Sequence, residues 1–106
     1  MSKYIISDDA ARAFLKGKNW KRGNTEVIAN KYGVYLRLFT NLIAKCEDGI
    51  TSISFHGWRT RTTCDRLEAL TGYKFSCRGG FLSCKDKYID SNKWYTLEEL
   101  RRIINE

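Results

Sequence analysis

The spacing of hydrophobic and polar positions along this chain changes several times, and each change predicts a new element. Apolar residues recur at helical spacing in residues 7–16, in a segment that starts within residues 60–63 and ends at residue 72, and in a segment that starts at residue 96. Ser7 is a favourable N-cap for the first helix, and Thr96 with Glu99 has the spacing of a capping box for the third. Thr62 and Asp65 have a similar spacing in the second helix. We therefore expect three helices.

Alternation of apolar and polar residues, which is typical of β-strands, fills the chain between the first two helices. The alternating runs are residues 25–29, 34–39, 42–46 and 50–55. The dipeptide Asp48-Gly49 predicts a hairpin turn between the last two runs. A second hairpin follows the second helix, with strands at residues 73–77 and 81–84. The sequence thus predicts a single domain, residues 1–106, of the α+β class. Its antiparallel sheet, a four-stranded meander plus a later hairpin, is combined with three helices in the order α-β-β-β-β-α-β-β-α.

Positive charge is the main feature that composition adds to this fold. The chain has 19 Lys and Arg against 12 Asp and Glu, a formal net charge of +7. Residues 1–24 and residues 57–87 carry most of the excess, because each block has four more cations than anions. A basic surface attracts nucleic acid or acidic proteins, although the same charge also serves solubility alone. No apolar run is long enough for a membrane span, and the first residues lack the pattern of a signal peptide, so we expect a cytoplasmic protein.

Residues that could carry catalysis or bind a metal are few, and their spacing is unfavourable. The only histidine, His56, is eight residues from Cys64, and the four cysteines contain no C-x-x-C pair. Cys77 and Cys84 could face each other across the second hairpin, but small buried thiols fit these positions equally well. We therefore predict no catalytic residue, no cofactor and no metal ligand. Zinc binding is the alternative, and elemental analysis of the purified protein tests it.

The corner at residues 57–67, between the fourth strand and the second helix, is the strongest candidate for binding. Arg59 and Arg61 alternate, so an extended backbone would point both guanidiniums to one side, and Arg66 follows in the helix. Arginines beside a helix N-terminus suit an anionic partner. In the alternative interpretation, the arginines are only solvated. We interpret Gly57, Trp58, Thr62 and Leu67 as mainly architectural, with Trp58 packed into the core.

Two further clusters combine cations with aromatic residues, as single-stranded nucleic acid requires. The first is a glycine-bounded loop around Trp20, and the second is the late hairpin that contains Tyr73 and Phe75. Their alternative interpretations are a solvated loop whose Trp20 fixes the first helix, and an ordinary packed strand face. The complete set of predicted nucleic-acid contacts is Arg59, Arg61, Arg66, Lys18, Trp20, Lys21, Arg22, Lys74 and Arg78.

Three short motifs resemble a family of small uncharacterised proteins encoded by tailed bacteriophages. They are Asn24-Thr25, Asn41-Leu42-Ile43-Ala44, and Gly57-Trp58-Arg59-Thr60-Arg61-Thr62-Thr63 followed by Arg66-Leu67. Thr40 stands where the family usually has glycine, and Glu68 stands where asparagine is common. The resemblance covers about residues 10–85. It implies a phage accessory protein in the bacterial cytoplasm, of a kind that often binds host nucleoprotein machinery such as polymerase or defence complexes.

Charge, motifs and resemblance together predict a non-enzymatic phage accessory protein that binds nucleic acid or a host nucleoprotein complex. Inhibition of an RNA-guided defence complex, as anti-CRISPR proteins do, is one concrete form of this function. The alternative is an inhibitor or adaptor that binds a host protein through exposed aromatics such as Trp20, Tyr32 and Tyr35, without nucleic-acid contact. The partner and the oligomeric state stay open at this point.

Overall fold

Three helices and nine strands make up the part of the chain that the computed structural model describes, which is residues 5–58, 60–77 and 81–105. In chain order they are α1 (Ile5–Lys16), β1 (Trp20–Arg22), β2 (Thr25–Asn30), β3 (Gly33–Leu38), β4 (Asn41–Glu47), β5 (Ile50–Ile53), α2 (Arg61–Thr71), β6 (Phe75–Ser76), β7 (Ser83–Cys84), β8 (Lys87–Tyr88), β9 (Tyr95–Thr96) and α3 (Leu97–Asn105). The predicted α+β class is confirmed. The three helices, the four-stranded meander (β2–β5) and the later hairpin (β6–β7) are all present.

The strands form two antiparallel sheets, and their edges differ from the prediction. The larger sheet has the order β1-β2-β3-β4-β5-β9, and the smaller one has the order β6-β7-β8. The segment around Trp20, expected to be a loop, forms the edge strand β1, in which Trp20 lies opposite Val27. Strands β1, β8 and β9 were not predicted because two or three residues are too few to show an alternating pattern.

The core lies on one face of the larger sheet, where alternate strand residues pack against α1 and α2. Val27, Leu36 and Ile53 are buried on this face, and Leu67 of α2 belongs to the same apolar cluster. Residues of the opposite register point away from this core. Ile28, Tyr35 and Lys45 form a cross-strand row there, and all three are only half-buried.

The end of α1 lies where the sequence predicts it, but the predicted N-cap is wrong. Gly17 has φ +67°, and the Lys18 N–H donates to the Ala13 carbonyl at 2.9 Å while the Gly17 N–H donates to the Phe14 carbonyl at 3.2 Å. This left-handed residue ends the helix directly after residue 16, where the predicted helix also ends, and the two bonds satisfy carbonyls that the helix leaves open. Ser7 is not the N-cap, because α1 already includes it and its side chain is buried.

The capping box of α3 is confirmed. The Glu99 N–H donates to Thr96 Oγ1 at 3.0 Å, and the Thr96 N–H donates to Glu99 Oε1 at 2.9 Å. The bond from the Thr96 backbone is the main cause of a lowered pKa for Glu99, because it stabilises the carboxylate. These two residues therefore fix the point at which β9 passes into α3.

The cysteines are free thiols, and their arrangement differs from the hypothesis that Cys77 faces Cys84. In the β6–β7 pair, Cys84 lies opposite Phe75. The sulfur of Cys77 instead lies 3.2 Å from the sulfur of Cys64 on α2. Burial first, and then the hydrogen bond with Cys77, raise the pKa of the Cys64 thiol. The pair thus joins α2 to the segment after β6.

Candidate functional site

The corner between β5 and α2 is a tight turn whose backbone bonds turn Trp58 out of the core. His56 and Gly57 have φ values of +51° and +75°. The Gly57 N–H donates to the Ser91 carbonyl, and the Trp58 N–H donates to the Phe55 carbonyl, both at 2.7 Å. Trp58 is 52% exposed as a result. The expectation that Trp58 packs in the core is therefore wrong, although the corner itself turns a strand into a helix as predicted.

Helix α2 begins after Thr60, which is its N-cap. Thr60 has extended φ and ψ angles of −94° and 159°, and its hydroxyl accepts a hydrogen bond from the Thr63 N–H at 3.2 Å. The Thr60 and Thr63 hydroxyls are also 3.0 Å apart and hydrogen-bonded. The predicted capping role of Thr62 with Asp65 is wrong, because Thr62 already lies inside the first turn. At the other end, Gly72 is left-handed and ends α2 as predicted.

Arg66 is a buried structural residue, which removes it from the predicted contacts. Its guanidinium donates to the Ser7 hydroxyl at 2.6 Å, to the Thr25 hydroxyl at 2.9 Å and to Asn24 Oδ1 at 3.4 Å. It is 8% exposed, and burial lowers its pKa, yet a guanidinium stays charged in a protein. The bonds connect α2 to α1 and to the start of β2.

Arg61 and Lys74 lie on one cavity of about 530 Å³, but they share it with carboxylates. The lining residues are Ser7, Asp8, Arg61, Asp65, Glu68, Ala69, Lys74 and Phe75. Arg61 Nε lies 3.3 Å from Asp65 Oδ1, in an ion pair whose geometry does not make a hydrogen bond. Glu68 accepts a hydrogen bond from the Phe75 N–H at 3.0 Å. With three acidic residues and two basic ones in its lining, this cavity does not favour a phosphate.

The predicted cations around Trp20 lie on and beside strand β1, and we call this set the β1 cluster: Lys16, Lys18, Trp20, Lys21 and Arg22. Lys16, Lys18 and Trp20 line one shallow cavity, whereas Lys21 lies on the other face of the strand. The four cations are exposed, and Trp20 is half-buried against the core. Within the described part of the chain, no carboxylate forms an ion pair with any of them. Asn19 holds the start of the strand, because its side chain accepts a hydrogen bond from the Ala29 N–H at 2.8 Å. The cluster is therefore a surface of net positive charge, with Glu26 opposite Lys21 on β2 and Asp9 in the cavity of Lys16 and Lys18.

A second, apolar cleft lies between Phe39 and Trp58, and sequence reasoning missed it. Its volume is about 240 Å³, and it is lined by Leu38, Phe39, Asn41, Ile43, Trp58, Thr60, Thr62 and Thr63. Phe39 is 65% exposed and has φ +60°, a left-handed conformation that is unusual for a bulky residue. We call this site the Phe39–Trp58 cleft. The available signal was an aromatic residue at a predicted hairpin tip, where nothing requires one.

Arg59 and Arg78 lie outside the described residues. Across residues 5–58, 60–77 and 81–105, no helix is long and apolar enough to cross a membrane. The same residues contain no group of three or more His, Cys, Asp or Glu side chains that could hold a metal ion.

Comparison with known proteins identifies the family. Neither the curated proteins nor the solved structures contain a match to this chain. The family described as Kyanoviridae Gp96 protein matches residues 3–101, a longer segment than the one on which the motif resemblance rested. This match includes the corner, the β1 cluster, the Phe39–Trp58 cleft and half of α3, and it confirms the expected tailed-phage relationship. The chain belongs to the Kyanoviridae Gp96 protein family of bacteriophage proteins.

Proposed function

We propose that the protein binds single-stranded nucleic acid, or a host nucleoprotein that presents it, through the β1 cluster. The observation that carries the proposal is the set of four exposed cations around the half-buried Trp20, none of them in an ion pair within the described residues. Unneutralised cations release counterions from a phosphate backbone, which drives binding that depends steeply on salt. An aromatic ring among them suits the stacking of bases.

The other candidate cations support this choice of surface by contrast. Arg61 is paired with Asp65, and Lys74 lines the same carboxylate-containing cavity. Asp65 and Glu68 would repel a phosphate that approached either cation. Arg66 is used inside the fold. The cavity of Lys18 and Trp20 contains one carboxylate, Asp9, against the cations Arg12, Lys16 and Lys18. Among the predicted contacts in the described chain, we therefore choose Lys18, Trp20, Lys21 and Arg22.

Fluorescence anisotropy with labelled single- and double-stranded DNA and RNA, measured at several salt concentrations, tests the proposal. The informative variant replaces Lys18, Lys21 and Arg22 with glutamine. Since each lost phosphate contact on a single strand removes about 0.7 from the salt slope, the slope is expected to fall by about two. A flat titration of the wild-type protein at low salt contradicts direct nucleic-acid binding.

A second triple variant controls for net charge. It replaces Lys85, Lys93 and Arg101 with glutamine, all of which are exposed and outside the β1 cluster. Each variant removes three positive charges. If the control variant weakens binding as much as the β1 variant does, attraction depends on total charge and the β1 cluster is not the site.

Membership of a phage family suggests where the partner is found, which is the infected bacterial cell. We propose a host nucleoprotein complex, and the block of an RNA-guided defence complex is one form of this role. Affinity capture from host lysate, with and without nuclease, tests it. Capture of nucleic acid with its bound proteins, abolished by nuclease and by the β1 triple variant, is the expected result.

The second candidate function is inhibition of a host protein through exposed aromatics, without nucleic acid. The observation in its favour is the exposure of Tyr32, Phe39 and Trp58, at 69%, 65% and 52%. Large exposed aromatics are common anchors of protein interfaces. Of the other aromatics predicted for this role, Trp20 and Tyr35 are half-buried, and the Tyr35 hydroxyl donates to Glu47 at 2.7 Å. A host protein retained after nuclease treatment, and lost from a Trp58→Ala variant, favours this function.

A further inference from the structure

The Phe39–Trp58 cleft combines apolar walls, polar edge groups and a position next to the β1 cluster. We infer that it binds one unstacked base of a single strand whose phosphates contact that cluster. This inference rests on the proposed function and names a site within it. Three observations carry it: the exposure of two aromatic rings from separate elements, the charge around the cleft, and the backbone connection to β1.

Backbone hydrogen bonds fix the two segments that carry the exposed aromatic residues. Phe39 adopts its left-handed conformation while its N–H donates to the Asn24 carbonyl at 2.6 Å. The Trp58 N–H donates to the Phe55 carbonyl at 2.7 Å, and its side chain is 52% exposed. A strained, solvent-exposed phenylalanine contributes little to folding. Such strained positions cluster at ligand-binding sites, which motivates a functional interpretation of this one.

The charge around the cleft suits a nucleotide. None of the lining residues is charged. Arg37 lies at the same hairpin tip, where its guanidinium donates to the Thr40 carbonyl at 3.4 Å. A base carries its own phosphates, so an uncharged cleft near the Arg37 guanidinium complements a nucleotide better than it complements a basic side chain.

The backbone places the cleft at the end of the β1 cluster. Strand β1 ends at Arg22, and the turn that follows reaches Asn24. Asn24 bonds to Phe39 at the tip of the β3–β4 hairpin. A strand that follows the cations from Lys18 to Arg22 is thus directed toward Phe39. The phosphate-binding surface and the base-binding cleft form one continuous path.

The size and chemistry of the cleft favour a planar base over an aliphatic side chain. At about 240 Å³ it is smaller than typical drug-sized pockets, so it accommodates a single ring system. The Thr60 hydroxyl is already bonded to Thr63, so the polar groups of this mainly apolar lining are the side chains of Asn41 and Thr62. A base presents two π-faces to aromatic walls and hydrogen-bonding edges to these groups, whereas an aliphatic side chain leaves them without partners.

The test compares an oligothymidine of about 15 nucleotides with an abasic strand of equal length, which keeps the phosphates and lacks the bases. Wild-type protein is expected to bind the thymidine strand about tenfold more tightly than the abasic strand. Phe39→Gly and Trp58→Ala are each expected to lose this preference with an unchanged salt slope. Glycine is chosen at position 39 because it adopts φ +60° without strain, so that variant keeps its fold.

The control variant is Tyr32→Ala, which removes an equally exposed aromatic from the β2–β3 turn. It is expected to bind both strands as the wild type does. Equal wild-type affinity for the two strands overturns this inference and leaves the proposed function in place. A base preference that survives both cleft variants also overturns the inference, because another aromatic then supplies the stacking. Absence of binding to either strand at low salt contradicts the proposed function itself.

Discussion

Arg66→Met is the substitution that tests our account of how the helices are fixed to the sheet. The buried guanidinium bonds the Ser7 hydroxyl of α1 at 2.6 Å and the Thr25 hydroxyl of β2 at 2.9 Å. Methionine keeps most of the apolar volume and removes both bonds. Ser7 and Thr25 are 1% and 0% exposed, so water cannot replace the lost donors. The substitution therefore leaves two buried hydroxyls without their charged partner.

The magnitude follows from these two bonds. A hydrogen bond to a charged group contributes about 1.5–3 kcal/mol, so the pair contributes about 3–6 kcal/mol. Removal of the guanidinium also removes the free-energy cost of its burial, which places the net loss near the lower limit, at about 3 kcal/mol. The bond to Asn24, at 3.4 Å, is long and adds little. A domain of this size has a free energy of unfolding of about 5–15 kcal/mol, so the variant still folds.

Urea denaturation followed by circular dichroism measures the loss. Arg101→Met is the matched control, because Arg101 is exposed on α3, and it is expected to change the free energy of unfolding by less than about 0.5 kcal/mol. A double-mutant cycle with Ser7→Ala is expected to give a coupling energy of about 1.5 kcal/mol. A loss below about 1 kcal/mol for Arg66→Met, or a coupling energy near zero, refutes the argument that these bonds fix α2 to its neighbours.

Three further predictions concern the helix caps and the thiols. Thr60→Ala is expected to cost about 1 kcal/mol in urea denaturation, and Thr62→Ala less than half as much; the reverse order would contradict the assignment of the N-cap. The lowered folded-state pKa of Glu99 means that its stabilising effect is present above its unfolded pKa of about 4.3 and is lost as pH falls through the folded value. Urea midpoints of the wild type are therefore expected to fall more steeply with acid than those of Glu99→Gln, and parallel curves would exclude this effect. Mild oxidation with diamide, which accepts the two electrons, is expected to join Cys64 to Cys77, and peptide mapping by mass spectrometry checks the pairing.

The elements that could be predicted from sequence are those whose apolar pattern continues over at least four residues or that have a local capping signal. Helix α3 shows both, because its apolar stripe has helical spacing and Thr96 with Glu99 makes the capping box. The meander could be predicted because each of its strands has at least four residues. Strand β9 pairs with β5, which is distant in sequence, and no local pattern reports such pairing. Strand β1 pairs with the adjacent β2, but its three residues are too few to show an alternating pattern.

The start of α2 shows how a local rule gives the wrong residue. Thr62 and Asp65 have the spacing of a capping box, but Thr60 and Thr63 have equivalent hydroxyls two and one positions away. Which threonine becomes the N-cap depends on where the chain leaves the corner. The bonds of Gly57 and Trp58 to distant and local carbonyls fix that point. The cap is therefore selected by the turn before it, which the spacing of side chains does not reveal.

Arg66 is buried and Trp58 is exposed, which is the reverse of what their residue types predict. The position of Arg66 on its helix explains its burial. Residues 63, 67 and 70 are buried on α2, and residue 66 lies three positions after 63 and four before 70, on the same stripe. Burial of Arg66 thus follows from the period that predicts the burial of Leu67. Once a charged residue occupies this stripe, hydroxyl partners on α1 and β2 become necessary, and Ser7 and Thr25 supply them.

The exposure of Trp58 does not follow from a helical or strand period in the way that the burial of Arg66 does. This difference supports the Phe39–Trp58 cleft as a binding site. The corner could turn with a small residue at position 58, because its backbone bonds come from the N–H groups of Gly57 and Trp58 and not from the indole ring. Burial of apolar area would favour the ring in the core, yet 52% of Trp58 faces solvent. Phe39, at the hairpin tip, is also an exposed aromatic residue, and its left-handed backbone is strained. These two exposed aromatic residues on the walls of one cleft are the reason we propose a ligand that stacks on them.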